Sequence, residues 1–153
     1  MLAAGIAFAH SRLQPRGYSH ARGARVVHYD LNSKLLRRRL PEIAVIPPGG
    51  GNGRLLILLH GRHDPGPLHW LGGDVSGPQS MLNDAFFAGL AQLGDRAPTV
   101  VLLNGGGHSY FHDRRDGPWA TSILREAIPE AVRRFRTHGR IAIGYGALHI
   151  ASL

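Results

Sequence analysis

Apolar positions fall into two rhythms along this chain, one of strand type and one of helix type. Residues 25–30 and 42–46 are rich in β-branched side chains and read as strands, with Asn32-Ser33 as punctuation between them. Pro47-Pro48-Gly49-Gly50-Gly51-Asn52-Gly53 is a strong turn signal. Residues 54–59 then form a continuous apolar run of strand length, the signature of a strand buried on both faces. Three strands in succession predict an antiparallel start. The period then changes. Over residues 80–93, Leu82, Phe86 and Leu90 recur at helical spacing, Met81, Phe87 and Leu93 flank the stripe, and Gly94 follows as a C-terminal stop. Residues 99–103 read as a buried strand. A second helix is expected over 120–138, with Leu124, Ile128, Val132 and Phe135 on one face and Pro129 inside it as a kink or restart. Residues 140–143 make a fifth strand, and 147–153 open a third helix. The order β-β-β-α-β-α-β-α predicts an α/β fold. Its sheet should be mostly parallel, with antiparallel N-terminal strands, helices on both faces, and the third to fifth strands adjacent and parallel.

Composition narrows the class. At 153 residues and 43% hydrophobic, the chain can bury a core. No apolar run reaches the ~18 residues that cross a bilayer, so no membrane span is expected. With no cysteine, disulfide scaffolds and thiolate metal sites are excluded. The net charge of +8 is unevenly placed: residues 1–40 hold eight basic residues and one acid, whereas residues 41–153 hold ten basic and nine acidic ones. A basic arm can attract phosphate backbones or an anionic surface. Arginine is abundant throughout the chain, however, which favours a solvated lead-in over a nucleic-acid partner. Residues 1–24 are therefore expected to be a poorly ordered basic lead-in. Their first nine residues are apolar and end in Ala7-Phe8-Ala9, yet they lack a positive leading region and are shorter than a signal peptide of ~15–30 residues. The sequence leaves the compartment undecided between cytoplasmic and secreted.

In an open α/β sheet, ligands bind at the carboxyl ends of the strands. Three glycine-rich segments fall there: His60-Gly61-Arg62-His63-Asp64, Asn104-Gly105-Gly106-Gly107-His108-Ser109-Tyr110, and Gly144-Tyr145-Gly146. Trp70, Tyr110 and Trp119 are candidate walls of a pocket, with Trp119 equally suited to stapling the helix that follows it. His60, His63, His108 and His112, with Asp64, Asp113 and Asp116 nearby, have the donor types of a metal site. With ten histidines in the chain, ordinary histidines are the better reading, and no metal site is expected. The Pro47–Gly53 run lacks the Lys-Ser/Thr ending and the helix of a phosphate loop, so it reads as a turn.

These segments, taken in order, resemble the esterase family of α/β-hydrolases that includes S-formylglutathione hydrolase (esterase D), feruloyl esterases and the mycolyltransferase antigens. The matching residues are Leu58-Leu59-His60-Gly61, Asn104-Gly105-Gly106-Gly107 with Ser109-Tyr110 and Asp113, and Asp116-Gly117-Pro118-Trp119. They continue through Leu124-Arg125-Glu126-Ala127-Ile128-Pro129, Arg140-Ile141-Ala142-Ile143-Gly144 and Tyr145-Gly146-Ala147-Leu148. The resemblance runs from Val26 to the C-terminus and matches the N-terminal half of that family, so residues 25–153 are expected to be an incomplete α/β-hydrolase domain. It implies acyl transfer from small carboxylic esters or thioesters through a serine on a G-x-S-x-G elbow, without a cofactor. It also implies an oxyanion hole that includes the backbone N–H of Arg62 after Gly61, and a substrate pocket near His60, Trp70, Ser109, Tyr110 and Trp119. The chain departs from the family at the elbow. Ile143-Gly144 passes directly to Tyr145-Gly146-Ala147-Leu148, and the nucleophile serine and later triad members have no counterpart. No catalytic residue is identifiable, and the chain as written is expected not to hydrolyse esters. The alternative is a non-catalytic, hydrolase-like binding module, ranked ahead of an anionic-surface or nucleic-acid binder working through the basic N-terminal segment. The unpaired edge of the fifth strand is expected to favour self-association.

Overall fold

The computed structural model describes residues 21–59, 82–106 and 111–145. The expected basic lead-in lies outside these residues as far as residue 20, and so does the expected third helix. Residues 21–24 are described: Ala21 is buried in the core, and the Arg22 guanidinium pairs with Asp84 at 3.1 Å.

Strands β1 (Arg25–Ser33) and β2 (Arg38–Ile46) form a hairpin whose register runs from Arg25 opposite Ile46 to Ser33 opposite Arg38. Both strands are longer than the sequence pattern suggested, because Asn32-Ser33 continues the ladder and the chain turns at residues 34–37. An acid from a distant helix fixes that turn. Glu126 accepts hydrogen bonds from the backbone N–H groups of Lys34 (2.9 Å) and Leu35 (3.1 Å), and from the hydroxyls of Ser33 (2.5 Å) and Ser122 (2.8 Å).

Strands β3 (Leu55–Leu59), β4 (Thr99–Leu103) and β5 (Ile141–Tyr145) complete one five-stranded sheet in the order β1-β2-β4-β3-β5. As expected, β3, β4 and β5 are adjacent and parallel. The expected succession of three antiparallel strands is only partly realised, since β2 pairs antiparallel with β4 and not with β3. The glycine-rich connection after β2 passes the entry to β4, where Asn52 bonds the carbonyls of Ala97 (2.9 Å) and Arg96 (2.7 Å). That route puts the leucine-rich β3 in the interior of the sheet, where its two apolar faces are both covered.

Helices cover the two faces in turn. Helix α1 (Asp84–Gln92) is shorter than the pattern over 80–93 predicted. It begins at an Asn83 cap, whose side-chain oxygen accepts the Phe86 N–H at 3.0 Å. Phe87 and Leu90 of α1 pack with Ile43, Val45, Val100 and Leu102 on one face of the sheet. On the other face, Tyr29, Leu31, Ala44, Leu55, Ile57 and Val101 meet Trp119, Ile123, Ala127 and Ala131. These last residues come from α2 (Trp119–Ser122), a π turn (Ile123–Ala127) and α3 (Ile128–Arg134), which run on as one helical stretch. Pro129 does not break it. The Ile128 N–H reaches back five residues to the Ile123 carbonyl, and this wider turn accommodates the proline ring that an ordinary turn would clash with.

Candidate functional site

The pairing of Leu59 with both Leu103 and Tyr145 brings the carboxyl ends of β3, β4 and β5 level at one edge of the sheet. All three glycine-rich segments picked out by sequence therefore leave the sheet from the same edge. His60, Gly61, Arg62, Trp70, Ser109, Tyr110 and Gly146 lie outside the described residues. Trp119, Gly144 and Tyr145 lie within them.

The start of the second segment is held from below by an acid that sequence reasoning gave no role. Glu42 of β2 is 1% exposed, and its Oε2 accepts the backbone N–H of Asn104 at 2.7 Å. Burial pushes the Glu42 carboxyl well above the usual carboxylate range, and the Asn104 N–H offsets only part of that rise. Among the described residues, its Oε1 has no hydrogen-bond partner. Asn104 in turn accepts the Gly106 N–H at 2.9 Å and donates to the Pro41 carbonyl at 3.4 Å, so its side chain closes the turn and ties it to β2. The one sequence signal for Glu42 was a lone acid opening an otherwise apolar strand.

Trp119 lies under this turn and is 2% exposed. Gly106, with φ of 75°, is required there, because a Cβ would lie 2.7 Å from the indole Cη2. The Arg114 guanidinium stacks over the indole at 4.7 Å, donates to the Gly105 carbonyl at 3.4 Å and pairs with Asp116 at 2.9 Å. Hydrogen bonding to Arg114 holds the Asp116 carboxyl below its ordinary value. Asp113 accepts the Thr121 hydroxyl at 2.6 Å and the Thr121 N–H at 3.0 Å, which lowers its pKa as well. Asp113 and Asp116, two of the three aspartates considered for a metal, thus carry structural bonds, whereas Asp64, His63 and His108 lie outside the described residues. Among the described residues, no group of three His, Asp or Glu side chains could hold a metal ion.

At the end of β5, Gly144 lies beside Leu58, where a Cβ would approach Leu58 Cδ2 to 3.0 Å. No G-x-S-x-G sequence follows it or occurs elsewhere in the chain. No helix among the described residues is long and apolar enough to cross a membrane.

The sheet has four strands pointing one way and β2 opposed, helices on both faces and glycine-rich turns at the carboxyl edge. It is part of an α/β-hydrolase fold. Two solved structures of that kind are similar to it. One is a ferulic acid esterase, with a TM-score of 0.63 and 21% identity over 80% of this chain and 48% of that chain. The other is an S-formylglutathione hydrolase from Agrobacterium tumefaciens, with a TM-score of 0.51 and 14% identity over 82% of this chain and 50% of that chain. At such identities the likeness is one of fold. Both are enzyme kinds named by the resemblance drawn from the sequence motifs, and they support it. The chain spans about half the length of each. No family model and no curated protein sequence matches the chain.

Proposed function

We propose that this chain forms the binding half of an esterase-type site for small carboxylic esters or thioesters, and that its 153 residues alone do not turn such esters over. The observation that carries this reading is the carboxyl edge itself. Three glycine-rich segments leave it together, yet β5 runs into Gly144-Tyr145-Gly146 with no serine where an elbow would stand. Backbone N–H groups after β3, at Gly61 and Arg62, would face the acyl oxygen and stabilise charge that develops on it. The Glu42–Asn104 bond keeps the neighbouring turn in register, and the buried Trp119 supports it from beneath. Without an activated nucleophile, such an edge binds an acyl group but supplies no covalent step.

Incubating the full chain with p-nitrophenyl acetate and p-nitrophenyl butyrate tests both parts. Saturation-transfer NMR should detect the bound ester while p-nitrophenol release stays at the buffer rate. A fluorophosphonate should add no mass to the protein. A stoichiometric phosphonyl adduct would overturn the claim of inactivity, and absence of any bound ester would overturn the claim of binding.

A further inference from the structure

A cleft of about 380 Å³ opens at the opposite edge of the sheet, where β4 begins at Thr99. Its walls come from β1, the end of β2 and the residues that close α3: Arg25, Val27, Ile46, Arg134, Phe135 and Arg136. The volume falls within the range of small-molecule sites, ~300–1,000 Å³. Among the described residues, no carboxylate lines it. Arg134 is committed elsewhere, since it stacks over the Tyr29 ring at 5.0 Å and pairs with Glu130 at 2.7 Å. Among the described residues, the guanidinium groups of Arg25 and Arg136 make no ion pair or hydrogen bond.

We propose that this cleft binds a small phosphomonoester carried on a short apolar body. Two uncommitted guanidinium forks match the two charges and the oxygen geometry of a phosphate dianion. Val27, Ile46 and Phe135, all half-buried, offer an apolar wall for the body of such a ligand. The cleft lies at the amino ends of the parallel strands, away from the carboxyl edge, so the proposal does not depend on the esterase reading.

The backbone at Arg136 supplies a clean variant. After α3 the Thr137 N–H bonds the Val132 carbonyl at 3.1 Å, and Arg136 takes φ of 50° in a position where helices usually end on glycine. Arg136→Gly therefore removes the guanidinium while relieving the backbone, and it should melt no lower than the parent.

Calorimetric titration of the full chain with hexyl phosphate should show saturable one-to-one binding. Arg25→Gln and Arg136→Gly should each weaken it about tenfold, as expected for losing a charge-assisted hydrogen bond. Hexanoate and inorganic phosphate should each bind about tenfold more weakly than hexyl phosphate, and hexanol should not bind detectably. No binding of hexyl phosphate, or unchanged binding by both variants, would overturn the proposal. So would an equal loss from Arg115→Gln, outside the cleft, because that would indicate general charge attraction. A DNA duplex that displaces hexyl phosphate, with an affinity cut by the same two substitutions, would assign the cleft to a polyanion and also overturn it.

Discussion

Glu42 lies directly across the β1–β2 ladder from Tyr29, with one oxygen on the Asn104 N–H and the other unpaired among the described residues. Burial raises its pKa, so the folded chain keeps this proton to a higher pH than the unfolded chain does. Its effect on stability is therefore most favourable below the ordinary carboxylate pKa of 4.5 and worsens as pH rises through the folded-state value. Glu42→Gln keeps an acceptor for Asn104 and removes the titration. The variant should gain stability over the parent as pH increases, seen as a widening gap in melting temperature between pH 4.5 and 8.5; a constant gap would count against a buried titrating carboxyl. Gly106→Ala tests the turn above it. Both the positive φ and the approach to Trp119 oppose a methyl group, and a loss of about 1–3 kcal/mol is expected in urea denaturation. A change within about 0.5 kcal/mol would mean that the indole gives way. Neither role was legible in the sequence. The pattern marked residues 42–46 as a strand, but a strand buried on both faces carries no alternation to say which side Glu42 occupies.

At the level of elements, the most consequential link is the hold of Glu126 on the hairpin turn. It accepts from four donors on β1, the turn and α2, and these hydrogen bonds outweigh burial to keep its pKa below 4.5. The stabilisation is thus complete above 4.5 and is lost as pH falls through the lower, folded-state value. Glu126→Ala should cost about 2 kcal/mol at neutral pH, with the difference from the parent narrowing in acid; denaturant titrations at pH 7 and pH 3 measure both. The existence and type of the described elements were legible from periodicity, because runs such as 54–59 and 99–103 are long and apolar enough to admit few readings. Their neighbours were not. That β2 passes β3 and pairs with β4 depends on how residues 47–53 dock against Arg96 and Ala97, a contact between segments far apart in sequence. The π turn before Pro129 was illegible for a related reason, since a proline in a helical pattern is equally compatible with a break, a kink or a widened turn.

For the whole molecule, the carboxyl edge could be assembled from sequence alone, because consecutive parallel strands must end on one side. The cleft at the amino edge could not, as it joins residues from both ends of the pattern. Among the described residues the sheet ends on β5, which pairs with β3 and leaves Ile141 44% and Ile143 56% exposed. Unpaired backbone beside exposed isoleucines is a template for pairing with another chain. Light scattering should show the mean mass rising with protein concentration, and Ile143→Lys should suppress the rise. A constant monomer mass across the series would refute this expectation.

The strand order also sets a timetable for folding. The hairpin of β1 and β2 is local in sequence, but one long side of β2 is completed only when β4 arrives, with Glu42 and Asn104 62 residues apart. During synthesis, Ile43 and Val45 must therefore wait uncovered until β4 and α1 have both been made. Closing so long a loop before its contacts form is entropically costly and slow. The strand order thus makes the arrival of β4 between β2 and β3 the expected slow step of folding.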